Sequence, residues 1–371
     1  MLAVVLLLLV YATVPPVSPA GPDNRGKLFI VGFGENSYSN LPVELFVTTP
    51  RTKTVNVLVT APNYTATAIS EQFTVTSGVV KQLFLDGNLR MVGSVRAYNA
   101  IQIVADDEVV AYAVNKVSSS CDAYLALPVD VLGLEYYTVS WFPSSYYCQL
   151  VVIGVEDATS VSVKLSSHLG TYTVVYEGIT YGQGQTITTT LQKYQMLQLQ
   201  TYGDLSGTYI NSTKPVGVLG GNQRTNIGIG KSSDHLVEQL APVTTWGKNF
   251  VTVPIPLRTT GDYFRFVASE DSTYVVISGD YSSSFTIALK GTFIERTIPS
   301  GAYTKIVANK PISVFQFCMS EQKPTEESDS LLMYIPPMEQ YGADYTFSTP
   351  KWSHGSYSNY FMFVVKSSEK D

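Results

Sequence analysis

The 371-residue sequence predicts an all-β protein built from tandem antiparallel, sandwich-like repeats of about 100 residues. Three observations predict it. Short runs rich in β-branched and aromatic residues recur along the chain, among them 45–48, 55–59, 149–153, 160–165 and 274–277, and Gly, Ser, Asn, Asp and Thr punctuate them. No long stretch carries a helical period. A nine-residue pattern (Pro, apolar, two variable, bulky apolar, Gly, two variable, aromatic) occurs three times: Pro128-Val-Asp-Val-Leu-Gly-Leu-Glu-Tyr136, Pro242-Val-Thr-Thr-Trp-Gly-Lys-Asn-Phe250 and Pro337-Met-Glu-Gln-Tyr-Gly-Ala-Asp-Tyr345. Self-similarity at such a period marks tandem modules. A β-propeller made from the same repeats is the alternative architecture.

The elements follow in order. Residues 1–20 are a separate object: Met1 to Val14 is almost wholly apolar, Pro15-Pro16 ends the run, and Ser18-Pro19-Ala20 offers small residues at cleavage positions. This is the pattern of a secretory signal peptide, although its start lacks Lys or Arg. A membrane anchor needs roughly 20 unbroken apolar residues, and this run is shorter. Gly26-Lys-Leu-Phe29 resembles the back half of the nine-residue pattern, so modules begin near 26, 133, 247 and 342. The expected division is 21–132, 133–246 and 247–341 as three β repeats, with 342–371 the start of a truncated fourth.

Two further elements recur. Ile103 to Tyr112, Ile210 to Leu219 and Ile306 to Phe315 align without a gap, each expected as a strand, a tight polar turn and a second strand, with Pro215 and Pro311 opening the latter. A strand, an acidic turn and a strand follow the nine-residue pattern at Val151 to Val163 and Phe264 to Ile277. Phe361-Met-Phe-Val-Val365 begins the same element. Strands lacking partners there expose an edge.

Structural roles account for the repeated residues. Pro128, Pro242 and Pro337 fix φ and stop the preceding strand. Gly133, Gly247 and Gly342 are expected in a conformation closed to residues with a side chain. Leu132, Trp246 and Tyr341, with Tyr136, Phe250 and Tyr345, are expected core or interface anchors. Asp234, read as the counterpart of Asp122 and Asp329, is expected to cap a turn with its carboxylate.

The balance of 24 Lys plus Arg against 30 Asp plus Glu is mildly acidic and contains no basic block, which excludes nucleic acid and anionic membrane as natural partners. No later segment is apolar enough to insert into a membrane. Three cysteines remain, and in an oxidising compartment Cys121 and Cys148 are expected to pair, contributing roughly 3 to 4 kcal/mol and leaving Cys318 over. The sequons at Asn63 and Asn211 fit a secreted glycoprotein.

Catalytic and metal chemistry finds little support. Gly228-Ile-Gly-Lys-Ser232 resembles the end of a phosphate loop, but Thr225 stands where that loop needs glycine. Only His168, His235 and His354 exist, and Asp234-His235 with Glu238 is the nearest approach to a catalytic or metal cluster. The acidic runs at 106–108, 156–157 and 270–271 lack the alternating ligands of a calcium loop and read as solvated tips. Tyrosines gathered at 136–137, 146–147 and 357–360 favour contact surfaces for protein or glycan partners.

The run Asp234-His-Leu-Val-Glu-Gln-Leu-Ala-Pro-Val-Thr-Thr-Trp-Gly-Lys-Asn-Phe250 resembles the IgGFc-binding protein N-terminal domain family, as do Ser206 to Asn222 and Asp262 to Val275. The resemblance spans about residue 26 to the end. It implies a secreted, often mucus-associated glycoprotein with a non-catalytic binding or adhesion role. Three departures stand out. No cysteine-rich type D module follows, Gln223-Arg224 and Ser233 stand where cysteines are expected, and the fourth module is incomplete. The expectation is therefore an extracellular binding or adhesion module without catalysis or cofactor, taking a protein or glycoprotein ligand. A self-associating structural repeat protein is the alternative, and an extracellular hydrolase the third reading.

Overall fold

The computed structural model describes residues 23–37, 41–228, 232–323, 326–349 and 359–365. The expected signal peptide lies outside them. Every regular element is a β-strand or a single 3₁₀ turn, and all strand pairings between named strands are antiparallel. Each of the three large sheets is organised around one long strand: Ile101–Val117, Tyr209–Thr225 and Thr304–Cys318.

The long strand is shared by two layers. In the first sheet its early half pairs with Gly26–Val31 and Val55–Thr60, and the latter also pairs with Ser70–Val75. Its late half pairs with Val43–Thr48 and Ser120–Leu125, and Lys81–Leu85 flanks the former. The third sheet repeats this arrangement strand for strand. The second does too, with one addition: Val95–Ala97 crosses from the first region to pair with Met196–Thr201. The result is a set of curled sandwiches, each with its two layers joined through one bent strand.

The expected hairpin in the second repeated element is therefore corrected. Residues 106–108, 213–215 and 309–311 do not reverse the chain. They mark the bend of a continuous strand, where the pairing register shifts between Gly26 and Leu28, Asn211 and Val216, and Gly247 and Asn249. The extra residues are a bulge, which bends a strand and strengthens its twist. Pro215 and Pro311 fit there because the bulge needs no ladder donor.

Burial distinguishes the two halves. Early halves alternate buried and exposed, as in Ile101 to Ala105, whereas Val216 to Gln223 is buried throughout. A strand covered on both faces reads as continuously apolar or small. The second covering comes from the neighbouring sandwich, so cores are shared across repeats. Val151, Ile153, Met196, Leu219 and Val237 join the first core, and Val267, Phe315, Phe317 and Leu332 join the second.

Polar locks fix these contacts. Glu35, from the first region, is gripped by four glutamines of the second sheet. Gln223 Nε2 and Gln200 Nε2 donate to its carboxylate at 2.8 and 3.0 Å, Gln149 Nε2 donates to its carbonyl, and its own N–H donates to Gln198 Oε1. Between the second and third sheets the buried Arg265 guanidinium donates to Asp204 Oδ2 at 2.8 Å, Ser206 Oγ at 2.7 Å and the Ser140 carbonyl at 2.6 Å, while its Nε donates to Glu295 at 3.0 Å. Trp141 and Phe293 lie against the same guanidinium, 4.6 and 4.3 Å from ring centroid to cation.

Candidate binding surface

The nine-residue repeats form the first candidate, and the structure assigns them a joint. Each proline opens a 3₁₀ turn, at Val129–Val131, Val243–Thr245 and Met338–Gln340. Each turn closes onto the glycine that opens the preceding sandwich. A Cβ on Gly26 would lie 2.3 Å from Pro128 Cβ, one on Gly133 2.5 Å from Pro242 Cβ, and one on Gly247 2.3 Å from Pro337 Cβ. Such distances are far inside van der Waals contact. The expected reason for these glycines is thereby corrected: Gly133, Gly247 and Gly342 are absent from the positive-φ positions, and for the first two the constraint is the proline ring seated on them.

The aromatic members behave as anchors. Tyr136 and Phe250 are fully buried, and Trp246 is buried with its Nε1 donating to the Ala241 carbonyl at 3.1 Å. The Tyr136 hydroxyl accepts from Gly133 N–H and donates to the Val216 carbonyl on the long strand, both at 2.8 Å. In the last repeat Tyr341 is half-buried, and Gly342 N–H donates to the Tyr345 hydroxyl at 2.6 Å, yet Tyr345 is 61 % exposed.

The Asp234–His235–Glu238 group is a strand junction. His235 is fully buried, with Nε2 3.0 Å from Asn115 Nδ2 and Nδ1 3.0 Å from the Gln223 carbonyl, an arrangement that fits the neutral ring protonated at Nδ1. Burial lowers its pKa to about 4. Asp234 Oδ1 accepts from the Cys121 and His235 N–H groups, and Glu238 Oε1 accepts from Tyr334 N–H. Asp122 Oδ2 accepts from Val237 N–H. These carboxylates tie adjacent sheets together, and burial raises Asp234 to about 6 and Glu238 to about 8. Both imidazole nitrogens are engaged inside the protein, so His235 has no free nitrogen to serve a substrate. Asp122 lies opposite Asn115 and Leu236 lies opposite Asn222, so Asp122 corresponds to Leu236, and Ser120 is the counterpart of Asp234.

Other expectations resolve locally. Cys121, Cys148 and Cys318 are free thiols. The expected Cys121–Cys148 bridge is not formed: Cys121 is exposed on its hairpin, while Cys148 is buried with Sγ donating to the Trp141 carbonyl at 2.9 Å and accepting from Asn222 Nδ2. The acidic tips are neutralised by cations, Asp107 by Lys53 at 2.7 Å and Glu108 by Arg51 at 2.6 Å. Among the described residues no group of three or more His, Cys, Asp or Glu is placed to hold a metal. Asn63 sits exposed in a turn with φ 65°, and Asn211 lies half-buried in the long strand between Ser162 and Glu135. Gly228 is described, but residues 229–231 of the glycine-rich connection and His354 lie outside the described residues.

A surface the sequence reading only half found lies at one end of the second sheet. Tyr147, on the loop before Cys148–Gly154, meets Tyr202, which follows Met196–Thr201, because Cys148 pairs with Thr201, and Tyr146 stands beside it on the same loop. The Tyr147 and Tyr202 rings are 4.4 Å apart, and their hydroxyls are bonded at 3.0 Å. That bond raises the Tyr147 pKa. Tyr172 packs beside Gly203 and meets Phe142 edge-on at 5.8 Å, and Arg224 lies over Tyr146 at 5.9 Å. Phe142, Tyr146, Tyr172 and Tyr202 are 50, 37, 42 and 49 % exposed. Exposed aromatics gathered on a rigid frame are characteristic of contact surfaces. The Tyr146-Tyr147 pair was legible in the sequence. Phe142, Tyr172 and Tyr202 are isolated there, and only strand pairing collects them.

Comparison with known proteins bears on what this scaffold is. No solved structure matches it. The human IgGFc-binding protein is 26 % identical over 274 residues, covering 73 % of this chain but 5 % of that much longer protein. The sequence profile of the IgGFc binding protein family matches residues 122–371, which takes in the third sheet and all of the second except Val95–Ala97. The chain belongs to the IgGFc binding protein family.

Proposed function

We propose that the chain is a secreted, non-catalytic binding module of a mucus- or matrix-type glycoprotein, with the aromatic end of the second sheet as its contact surface. Family membership supports protein binding. The single observation that carries the site is the Tyr147–Tyr202 stack, half-buried at Tyr147 and exposed at Tyr202, its hydroxyls bonded at 3.0 Å at the ends of paired strands. Tyrosine presents large amphipathic area at low conformational cost, and the uncharged platform has one cation at its margin, Arg224. A protein surface presenting apolar side chains and a carboxylate fits it. The apolar run from Met1 to Val14 supports secretion, and the exposed Asn63 turn supports glycosylation there. The three repeats from 21 to 341 act as one scaffold in this reading.

The name of the human relative makes immunoglobulin Fc the first ligand to try. Glycosylated 21–371 protein is passed over immobilised Fc and over purified mucin glycoprotein, beside a Tyr147→Ser/Tyr202→Ser variant of unchanged melting temperature. Capture by one surface, reduced at least tenfold in the variant, is the expected result. Equal capture of both proteins moves the site elsewhere, and capture by neither overturns the Fc and mucin readings together.

A further inference from the structure

We propose that Tyr147 and Tyr202 are a modification site, joined ring to ring as a dityrosine when a haem peroxidase and hydrogen peroxide act on the protein. Coupling two phenols needs the rings in contact, the hydroxyl ends side by side, and access for an oxidant. The rings are 4.4 Å apart at 37°. The 3.0 Å bond between the hydroxyls brings the phenol ends together, and with them the ring carbons that flank each oxygen. Tyr202 is 49 % exposed and Tyr147 half-buried, so the pair is open to solvent. Cys148 pairs with Thr201, one residue inward on each strand, which holds the contact from both sides. A second tyrosine pair supplies the contrast. Tyr137 and Tyr209 lie 5.1 Å apart at a similar 40°, but Tyr137 is buried beside Trp246 and the Tyr209 hydroxyl donates to Glu135 Oε1 at 2.7 Å. That pair is shielded, and one of its hydroxyls is committed elsewhere.

The chemistry balances without any group from the protein beyond the two rings. Each tyrosine gives up one electron and its hydroxyl proton, leaving a phenoxyl radical with spin on the carbons beside the oxygen. One such carbon of each ring joins the other, and each then returns its hydrogen to its own oxygen. In sum, two C–H bonds break, one C–C bond forms, and two electrons and two protons reduce one peroxide to two waters. Rings already held together need no diffusional encounter between radicals, the step that separate tyrosines must wait for. The product ties the loop before Cys148–Gly154 covalently to the end of Met196–Thr201. It staples the proposed contact surface, but its formation does not depend on what that surface binds.

The test treats the glycosylated 21–371 protein with a haem peroxidase and limiting hydrogen peroxide, followed by proteolysis and mass spectrometry. The expected product is a monomer lighter by two hydrogens, with one linked peptide pair through Tyr147 and Tyr202, in a yield unchanged by tenfold dilution. Tyr147→Phe and Tyr202→Phe each remove that link while keeping a ring in place, and their melting temperatures check that they fold. Three results overturn the proposal: linkage confined to dimers through exposed tyrosines such as Tyr303 and Tyr345, a link to Tyr202 that survives in Tyr147→Phe through Tyr146, or a monomer without the Tyr147–Tyr202 link. The readout is a mass, so none of these results bears on Fc or mucin capture, and failure of that capture leaves the cross-link standing.

Discussion

Replacing Arg265 with methionine tests the joint between the second and third sandwiches. The Arg265 and Asp204 side chains are 5 and 7 % exposed, and Nη1 meets Asp204 Oδ2, Ser206 Oγ and the Ser140 carbonyl within 2.8 Å. Methionine matches the stem but leaves the Asp204 carboxylate buried, with only the Ser140 hydroxyl and Ser206 N–H still donating to it. Removing one member of a buried pair costs about 3 to 5 kcal/mol. Loss of the cation between Trp141 and Phe293 adds roughly 1 kcal/mol. Urea unfolding followed by circular dichroism should therefore show a loss of about 4 to 6 kcal/mol. The double variant Arg265→Met/Asp204→Asn should recover part of that loss, because no unpaired charge remains. A single-variant loss below about 1 kcal/mol, or a double-variant loss equal to the sum of the singles, would refute the clamp.

Three further outcomes are expected. Trp246→Ala should cost about 3 to 5 kcal/mol by the same assay, because the indole is buried and packs 6.0 Å from Tyr137. The melting temperature should rise as pH falls from 8 towards 6.5: Glu238 has a folded pKa of about 8, above its unfolded value, so its contribution is complete below the unfolded value and lost as pH rises through 8. Below 6.5 the depressed His235 opposes further gain, since its contribution is lost as pH falls towards 4, and Glu238→Gln should flatten the upper limb. Maleimide should label Cys121 before Cys148 and Cys318 in the native protein, but slowly, because burial pushes its thiol up to about 12, and all three thiols after denaturation, as counted by mass spectrometry.

Fold class was legible because it depends on local pattern. Alternating β-branched residues, turn residues between them and a repeated nine-residue pattern all survive in one dimension. What those patterns do across distance was not legible. Pro128 and Gly26 are about a hundred residues apart, yet the proline ring can seat where it does only because Gly26 has no side chain to meet it. The polar residues at 106–108 looked like a reverse turn because a bulge and a turn draw on the same residue types. The sharing of cores was not legible because periodicity reports which residues are buried, never which neighbour buries them. Val151 and Val152 are both buried, one in the first core and one in the second.

The tyrosine surface and the clamp meet in one short loop. Trp141 lies 5.0 Å from Tyr263 and 5.1 Å from Phe317 of the third sandwich, and its carbonyl accepts from Asn222 and from the Cys148 thiol. Phe142, the next residue, is half exposed and meets Tyr172. The loop from Trp141 to Tyr147 therefore carries buried fastening at one end and the exposed stack at the other. Rigid support of this kind lowers the entropy lost when a surface engages a partner. Isolated sequence could not show it, because Arg265 reads as an ordinary strand residue until it is found between Trp141 and Phe293. The fusion of sandwiches into shared cores thus bears on the proposed contact surface: its tilted aromatic rings rest on a loop fastened by contacts drawn from two neighbouring sheets.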